Sequence, residues 1–495
     1  MTSELLINVT PFETRVAYID DNILQEIYIE RENENKTGLV GNIYQGRVTR
    51  ILPGMQAAFI DIHLEKAAFL HASDILSLKP PENEDQKQDI AELIQPGQNI
   101  MVQVIKDPLG SKGARLTTHI TLASRYLVLT MTPAVAISHR LENEQERERL
   151  KNIVSSYCDK KNGFIIRTAA AGIDEKSLAS DADFLKSLWA NIIAGKTQNG
   201  IKNSLYTELP LKKRILRDFT VVSSLDRVRI DDQQTYNSLK AFSEEYIPDM
   251  LPKLEHYPIE KKNTQPLFSF YHVENEIQSL LNKKVLLKSG GCLIIEQTEA
   301  MTTIDINTAG FVGYKNLEET IFDTNLEATL VIARQLRLRN LGGIIIIDFI
   351  DMQNEEHKKN VLSALKKALN QDRVKTTVGE FSPLGLIEIT RKRTTESIEK
   401  ILCDRCQTCE GRGWLKSPET VCHEIFRKMI QLHHSSDSQQ ILVYVSNRVS
   451  NFLLHQKSET LAKIQCLLGK KIQIKTDPLY NQNQFDILTI SPPSV

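Results

Sequence analysis

Net charge is almost missing from this chain: 61 Lys+Arg stand against 62 Asp+Glu, a formal −1. A uniformly basic nucleic-acid or membrane binder is thereby excluded, and any such contact must come from local patches. Long apolar runs are missing too. A membrane helix needs about 20 apolar residues, whereas the best uncharged stretch, Tyr126 to Ser138, is shorter and carries several threonines, and the Ile344–Ile347 run ends at Asp348. The opening MTSELLINVT has Glu4 early and lacks the basic and apolar regions of a secretory signal. Cysteine is sparse and odd in number, at seven, which excludes a disulfide-stapled secreted scaffold. A cytoplasmic protein without a membrane span is expected. What remains is ordinary globular composition, 41% hydrophobic and 25% charged, too apolar for wholesale disorder. At about 150 residues per domain, the length suggests roughly three domains.

Apolar residues alternate through ELLINVT, ETRVAYID and ILQEIYIE, which predicts a strand meander with a turn at Asp21–Asn22. From Gly41 to Asp107 short strands with Gly and Pro punctuation predict a small five-stranded barrel of the oligonucleotide-binding type. Phe59 and Phe69 are then either base-stacking residues or core, and aromatics on strands are mostly core. A helix over ENEQERERLKNIVSSYC precedes the strand GFIIRTAA. Residues 180–260 read as helix-rich, with the charges of KKRILRDF taken as a solvated face. From about residue 275 the pattern is α/β: ENEIQSLLNKKVLL reads as helix, GGCLIIEQTEAMTTIDINT as two strands, and GIIIID as a buried strand by its continuous β-branched run. Residues 416–495 read as a small α/β tail.

Asp305 and Asn307 are two apart on a strand and so share a face. Asp348 closes an apolar strand, where its charge emerges at the carboxyl end, the edge at which open α/β sheets place their sites. Two carboxylates and an amide converging there would suit Mg²⁺, with Asp351 as an extra candidate; the plainer alternative is strand-end carboxylates satisfied by backbone or arginine. In CDRCQTCEGRG, Cys406-x-x-Cys409 has metal-ligand spacing. Completion by Cys403 with Cys422 or His423, an iron–sulfur cluster, or two cysteines from each of two subunits are all open. Arg167-Thr168 at a strand end is a compact anion receptor. Lys106, Lys112, Arg115, Arg334, Arg337 and Arg391–Arg393 are further basic candidates.

Together these segments resemble the bacterial RNase E/G endoribonuclease family, nearest its shorter branch without the long C-terminal scaffold. The likeness runs from ELLINVTPFETRVAYID through GNIYQGRVTRILPGMQAAFIDI, KDPLGSKGARLTT, FIIRTAA, MTTIDINT and LGGIIIIDFIDM to LYNQNQFDIL. It implies a multi-domain α+β chain: an RNase H-like domain split over 1–38 and 212–275, an OB-type RNA-binding barrel (39–121), a 5′-sensor region (122–211), a DNase I-like catalytic domain (276–400), a zinc link (401–415) and a small C-terminal α/β domain (416–495). It further implies Asp305 and Asp348 as Mg²⁺ ligands with Asn307 beside them, Phe59, Phe69 and Lys112 as RNA contacts, and Arg167, Thr168 and Val128 as a 5′-phosphate sensor. Cys406 and Cys409 become half of a Zn²⁺ site shared between subunits, hence a homodimer or larger assembly. The activity implied is Mg²⁺-dependent cleavage of single-stranded A/U-rich RNA, including rRNA precursors and mRNA, with a non-catalytic RNA-binding scaffold as the alternative. The chain departs from the family pattern at Gln407-Thr408, where a proline is missing between the cysteines, and at Ser124, His139 and Lys375, which replace a glycine and two arginines around the sensor.

Overall fold

The opening alternation folds as it reads. In the computed structural model, the strands Ser3–Val9, Glu13–Asp20 and Ile23–Arg31 form an antiparallel meander. The structure describes residues 2–31, 38–76, 89–108, 113–138, 140–141, 143–198, 204–219, 225–258, 265–308, 317–393, 395–433 and 440–490. Asp21 and Asn22 turn the second hairpin with φ of 46° and 62°, a left-handed conformation that Asp and Asn tolerate. Two short strands from far along the chain, Arg227–Ile230 and Leu254–His256, complete the sheet in parallel, Glu4 pairing with Arg227. The helices Leu211–Phe219 and Gln233–Tyr246 cover it through Leu211, Ile215, Phe219, Leu239 and Phe242. The sequence pattern predicts mainly helix here; strands this short carry no periodicity of their own and exist because a distant partner supplies the ladder.

The strands Ile43–Leu52, Ala57–Asp61, Ala68–His71, Arg115–Thr117 and Asn99–Lys106 pair in that order, and the last closes on the first. The barrel is closed, as predicted, around Val48, Ala58, Ile60, Ala68, Leu70, Val102, Val104 and Leu116. A four-stranded sheet follows, in the order Val135–Ile137, Gly163–Ile166, Leu127–Thr130, Thr121–Ala123, packed by the helices Glu144–Ser155 and Glu175–Gln198. Gly163 is required there: a Cβ would stand 2.1 Å from the Ala134 carbonyl oxygen.

The α/β portion is a six-stranded sheet in the order Lys284–Leu286, Cys292–Gln297, Met301–Asn307, Gly343–Asp348, Leu386–Arg391, Thr376–Phe381. The helices Leu317–Leu338 and Glu355–Asn370 bury Ile304, Ile306, Ile345, Ile347, Ile387 and Ile389 on one face. Two expectations are corrected. The isoleucine run is not buried on both sides, since Ile344 is 49% exposed on the uncovered face. KKVLL is not helical: the preceding helix ends at Ser279 and Lys284–Leu286 pairs as an edge strand with Cys292–Ile294.

Residues 402–495 form a separate unit. Its three-stranded sheet has Gln440–Val445 between Lys471–Thr476 and Phe485–Ile490, and the helices Pro418–His433 and Ser458–Leu468 pack on it. Among the described residues no helix is long and apolar enough to cross a membrane.

Candidate active site

Asp305 and Asp348 are direct partners on adjacent parallel strands, so their backbones lie about 4.8 Å apart. Both side chains are exposed at the carboxyl ends of their strands. Asn307, on the same face as Asp305, donates from Nδ2 to Asp305 Oδ2 at 2.7 Å and fixes that carboxylate's orientation. Partial burial, then the charges of Asp305 and Asp351, raise the Asp348 pKa above the ordinary carboxylate value. No arginine, lysine or backbone N–H of a described residue satisfies Asp348. The plainer expectation of internally satisfied strand-end carboxylates therefore fails for Asp348, and the pair fits a hard divalent cation. Among the described residues no group of three or more His, Cys, Asp or Glu side chains is gathered for a metal; Mg²⁺ typically takes one or two protein carboxylates and keeps several waters.

Phe59 and Phe69 are cross-strand partners with ring centroids 6.4 Å apart at 71°. Their neighbours Ala58, Ile60, Ala68 and Leu70 are all 0% exposed, so strand alternation turns both rings to the outside of the barrel. They are half-buried surface aromatics rather than core. Arg115 is committed to Asp74 at 2.7 Å. Lys112 and His139 lie outside the described residues.

Arg167 follows the Gly163–Ile166 strand, and its backbone N–H donates to the Tyr126 carbonyl at 2.9 Å. Its guanidinium donates to the Ser124 carbonyl from Nη1 and to Asp218 Oδ1 from Nη2, the latter at 2.8 Å. The Thr168 hydroxyl lies 3.2 Å from that of Ser138. Val128 pairs with Ile165, two residues before Arg167, and so shares its face. The Ser124 side chain donates to Asp181. Asp218 went unnoticed in the sequence because the charges of KKRILRDF read as solvated; instead Arg217 is only 8% exposed. Burial works against the Asp218 charge, but Arg217 and Arg167 outweigh it and hold its pKa below the usual carboxylate value. The carboxylates lie on the six-stranded sheet, the phenylalanines on the barrel, and Arg167 directly follows a strand of the four-stranded sheet.

In the cysteine loop, the backbone N–H groups of Cys409 and Thr408 point at the Cys406 sulfur and lower its pKa, favouring thiolate. Glu410 and Gly411 then turn the chain back with φ of 51° and 80°. Cys422 belongs instead to the core of its unit, and burial pushes its pKa up to about 11. It is not available to the loop. His423 packs edge-on against Phe426 beside Glu419. Cys406 and Cys409 therefore stand as a pair with Cys403 exposed nearby in sequence.

Comparison with known proteins decides the family. A model of the Ribonuclease E/G family matches residues 121–394, and Ribonuclease G of Escherichia coli (strain K12) is 58% identical over 494 residues, 99% of this chain and 100% of that protein. The chain belongs to the ribonuclease E/G family. Haemophilus influenzae Ribonuclease G is 53% identical over 98% of this chain and 99% of its own length. Ribonuclease E of Buchnera aphidicola is 35% identical over 93% of this chain but only 48% of that larger protein. Within this ribonuclease E/G chain an S1 RNA binding domain model matches residues 39–117, the stretch that forms the closed barrel. A model described as RNase E/G, Thioredoxin-like domain matches 405–490. The resemblance carried by the motifs thus holds over the full length, and the protein is an enzyme, a ribonuclease of this family.

Proposed function

We propose that the protein is a Mg²⁺-dependent endoribonuclease that cuts single-stranded, A/U-rich RNA, is stimulated by a 5′-monophosphate, and leaves 5′-phosphate and 3′-hydroxyl ends. The observation that carries this is the register of Asp305 against Asp348, two carboxylates side by side, with no cation of the described residues against Asp348. Mg²⁺ held there would activate a water and offset charge developing on the phosphoryl oxygens. Asn307 keeps the Asp305 carboxylate turned toward that position. The outward Phe59 and Phe69 offer rings for stacking, which tolerates varied sequence. Arg167 and Thr168 receive a 5′-phosphate by charge and hydrogen bonds. In the cell the substrates are rRNA precursors, at small-subunit 5′ ends, and mRNA undergoing decay.

The test is cleavage of one short A/U-rich RNA carrying either a 5′-monophosphate or a 5′-hydroxyl, with Mg²⁺ or with EDTA. Internal cutting that needs Mg²⁺ and is faster on the monophosphate is the expected result. Binding without any cutting would instead leave an RNA-binding scaffold.

Two further outcomes are expected. Base stacking is worth about 1–3 kcal/mol per aromatic by alanine substitution. Phe59→Ala or Phe69→Ala should therefore weaken RNA binding roughly tenfold or more by fluorescence anisotropy; unchanged affinity would remove the barrel face from the RNA path. Cys406 and Cys409 are proposed as half of a Zn²⁺ site completed by a second subunit. Replacing both by Ser should remove bound zinc and halve the mass in sedimentation, whereas a persistent dimer would place the subunit contact elsewhere.

A further inference from the structure

The carboxylate against Arg167 comes from outside the sheet that carries the arginine. Asp218 lies on the Leu211–Phe219 helix, whose apolar side packs into the first sheet, whereas Arg167 ends a strand of the four-stranded sheet. We propose that Asp218 is the positioning residue of the 5′-end pocket, holding the Arg167 guanidinium in the orientation that receives a terminal phosphate. This rests on Arg167 and Thr168 being that pocket.

A single carboxylate stands between two arginines. Arg167 Nη2 donates to Asp218 Oδ1 at 2.8 Å, and Arg217 Nε donates to the same oxygen at 3.1 Å. Each arginine also reaches one of two consecutive carbonyls: Arg217 Nη1 donates to Ala123 O at 3.1 Å, and Arg167 Nη1 to Ser124 O. Arg217 is held again by Glu208 at 3.3 Å. The Arg167 side chain is 23% exposed, so it is fixed from behind yet still open to a ligand.

A guanidinium carries five N–H donors. Two are spent on Ser124 and Asp218, leaving Nε–H and one hydrogen on each Nη, enough for a bidentate contact to phosphate. Without the Asp218 carboxylate, Arg217 and Arg167 would repel each other and Arg167 would regain its rotamers. Each binding event would then have to order it anew. Asp218 also neutralises part of the pocket's positive charge, so a mere counter-ion would have the opposite effect: its removal would strengthen phosphate binding. The sign of the change separates the two roles.

The experiment compares kcat/KM on the 5′-monophosphate and 5′-hydroxyl forms of one oligonucleotide, using the full-length protein and its Asp218→Ala, Asp218→Asn and Arg167→Ala variants. Losing one preset side chain predicts a fall of about tenfold in the monophosphate-to-hydroxyl ratio for Asp218→Ala, carried by KM. Asp218→Asn should fall less, because its amide oxygen still accepts from Arg167, and it serves as the test if the alanine variant does not melt cooperatively. A ratio equal to or above wild type would overturn the positioning role and leave the pocket standing. Equal losses on both substrates would make Asp218 a structural pin only. A wild-type ratio of one, unaffected by Arg167→Ala, would remove the pocket itself and the proposal with it.

Discussion

Asp348→Asn is expected to slow cleavage of single-stranded RNA by about a thousandfold, the several kcal/mol that metal-assisted stabilisation of phosphoryl transfer supplies. The substitution is nearly isosteric and the side chain is exposed, so packing is untouched. Among the described residues Asp348 has no cation partner to lose, and its neighbours Asp305 and Asp351 repel it. The thermal midpoint should therefore hold or rise slightly while the single-turnover rate collapses. Asp305→Asn should behave alike. Asn307→Ala should cost less, because it removes the hydrogen bond that orients Asp305 and leaves both carboxylates in place. A near-wild-type rate in Asp348→Asn would end the assignment of the sheet edge as the reaction centre.

The second large effect concerns stability. Asp372 and Arg391 form a buried ion pair, with side-chain exposures of 2% and 3%. The contact is bidentate, Nε to Oδ2 at 2.7 Å and Nη2 to Oδ1 at 3.2 Å, and Arg391 Nη1 donates to the Leu341 carbonyl at 2.7 Å. Removing one partner leaves a buried charge unpaired, so Asp372→Ala should destabilise the protein by about 3–5 kcal/mol. Urea unfolding followed by circular dichroism would show the midpoint fall. A double variant, Asp372→Leu with Arg391→Met, should lose much less, since neither charge is then stranded. Because Arg391 pairs with Gly343 on the strand that carries Asp348, activity should decline with the folded fraction. An unchanged midpoint in Asp372→Ala would mean that water reaches Arg391 and the pair is not truly buried.

Much of the candidate site was legible before any coordinates. Asp305 and Asn307 share a face because strand side chains alternate, and Asp348 had to emerge where its apolar strand ends. The barrel followed from short strands between turn residues. What was not legible depends on partners far away in the chain. Arg227–Ile230 is a strand because Ser3–Val9 lies beside it. Phe59 and Phe69 are aromatics on a strand either way; only barrel closure decides that Ala58, Ile60, Ala68 and Leu70 face inward and the rings outward. Cys422 could have joined the Cys406–Cys409 loop by sequence distance, yet its helix turns it into the core.

Charges show the same division. The run KKRILRDF looks like solvated surface, because most charged residues are. Instead Arg217 donates to the Ala123 carbonyl and Asp218 accepts from Arg167, and elsewhere Asp372 is locked to Arg391. Periodicity, turn chemistry and strand-end placement are local properties, and by themselves they determined the barrel, the carboxylate edge and the cysteine loop of this ribonuclease E/G protein. The face a side chain shows and the charge it meets depend on strand register and helix docking between segments far apart in the chain, so only the tertiary structure decided which aspartates are bare and which are paired.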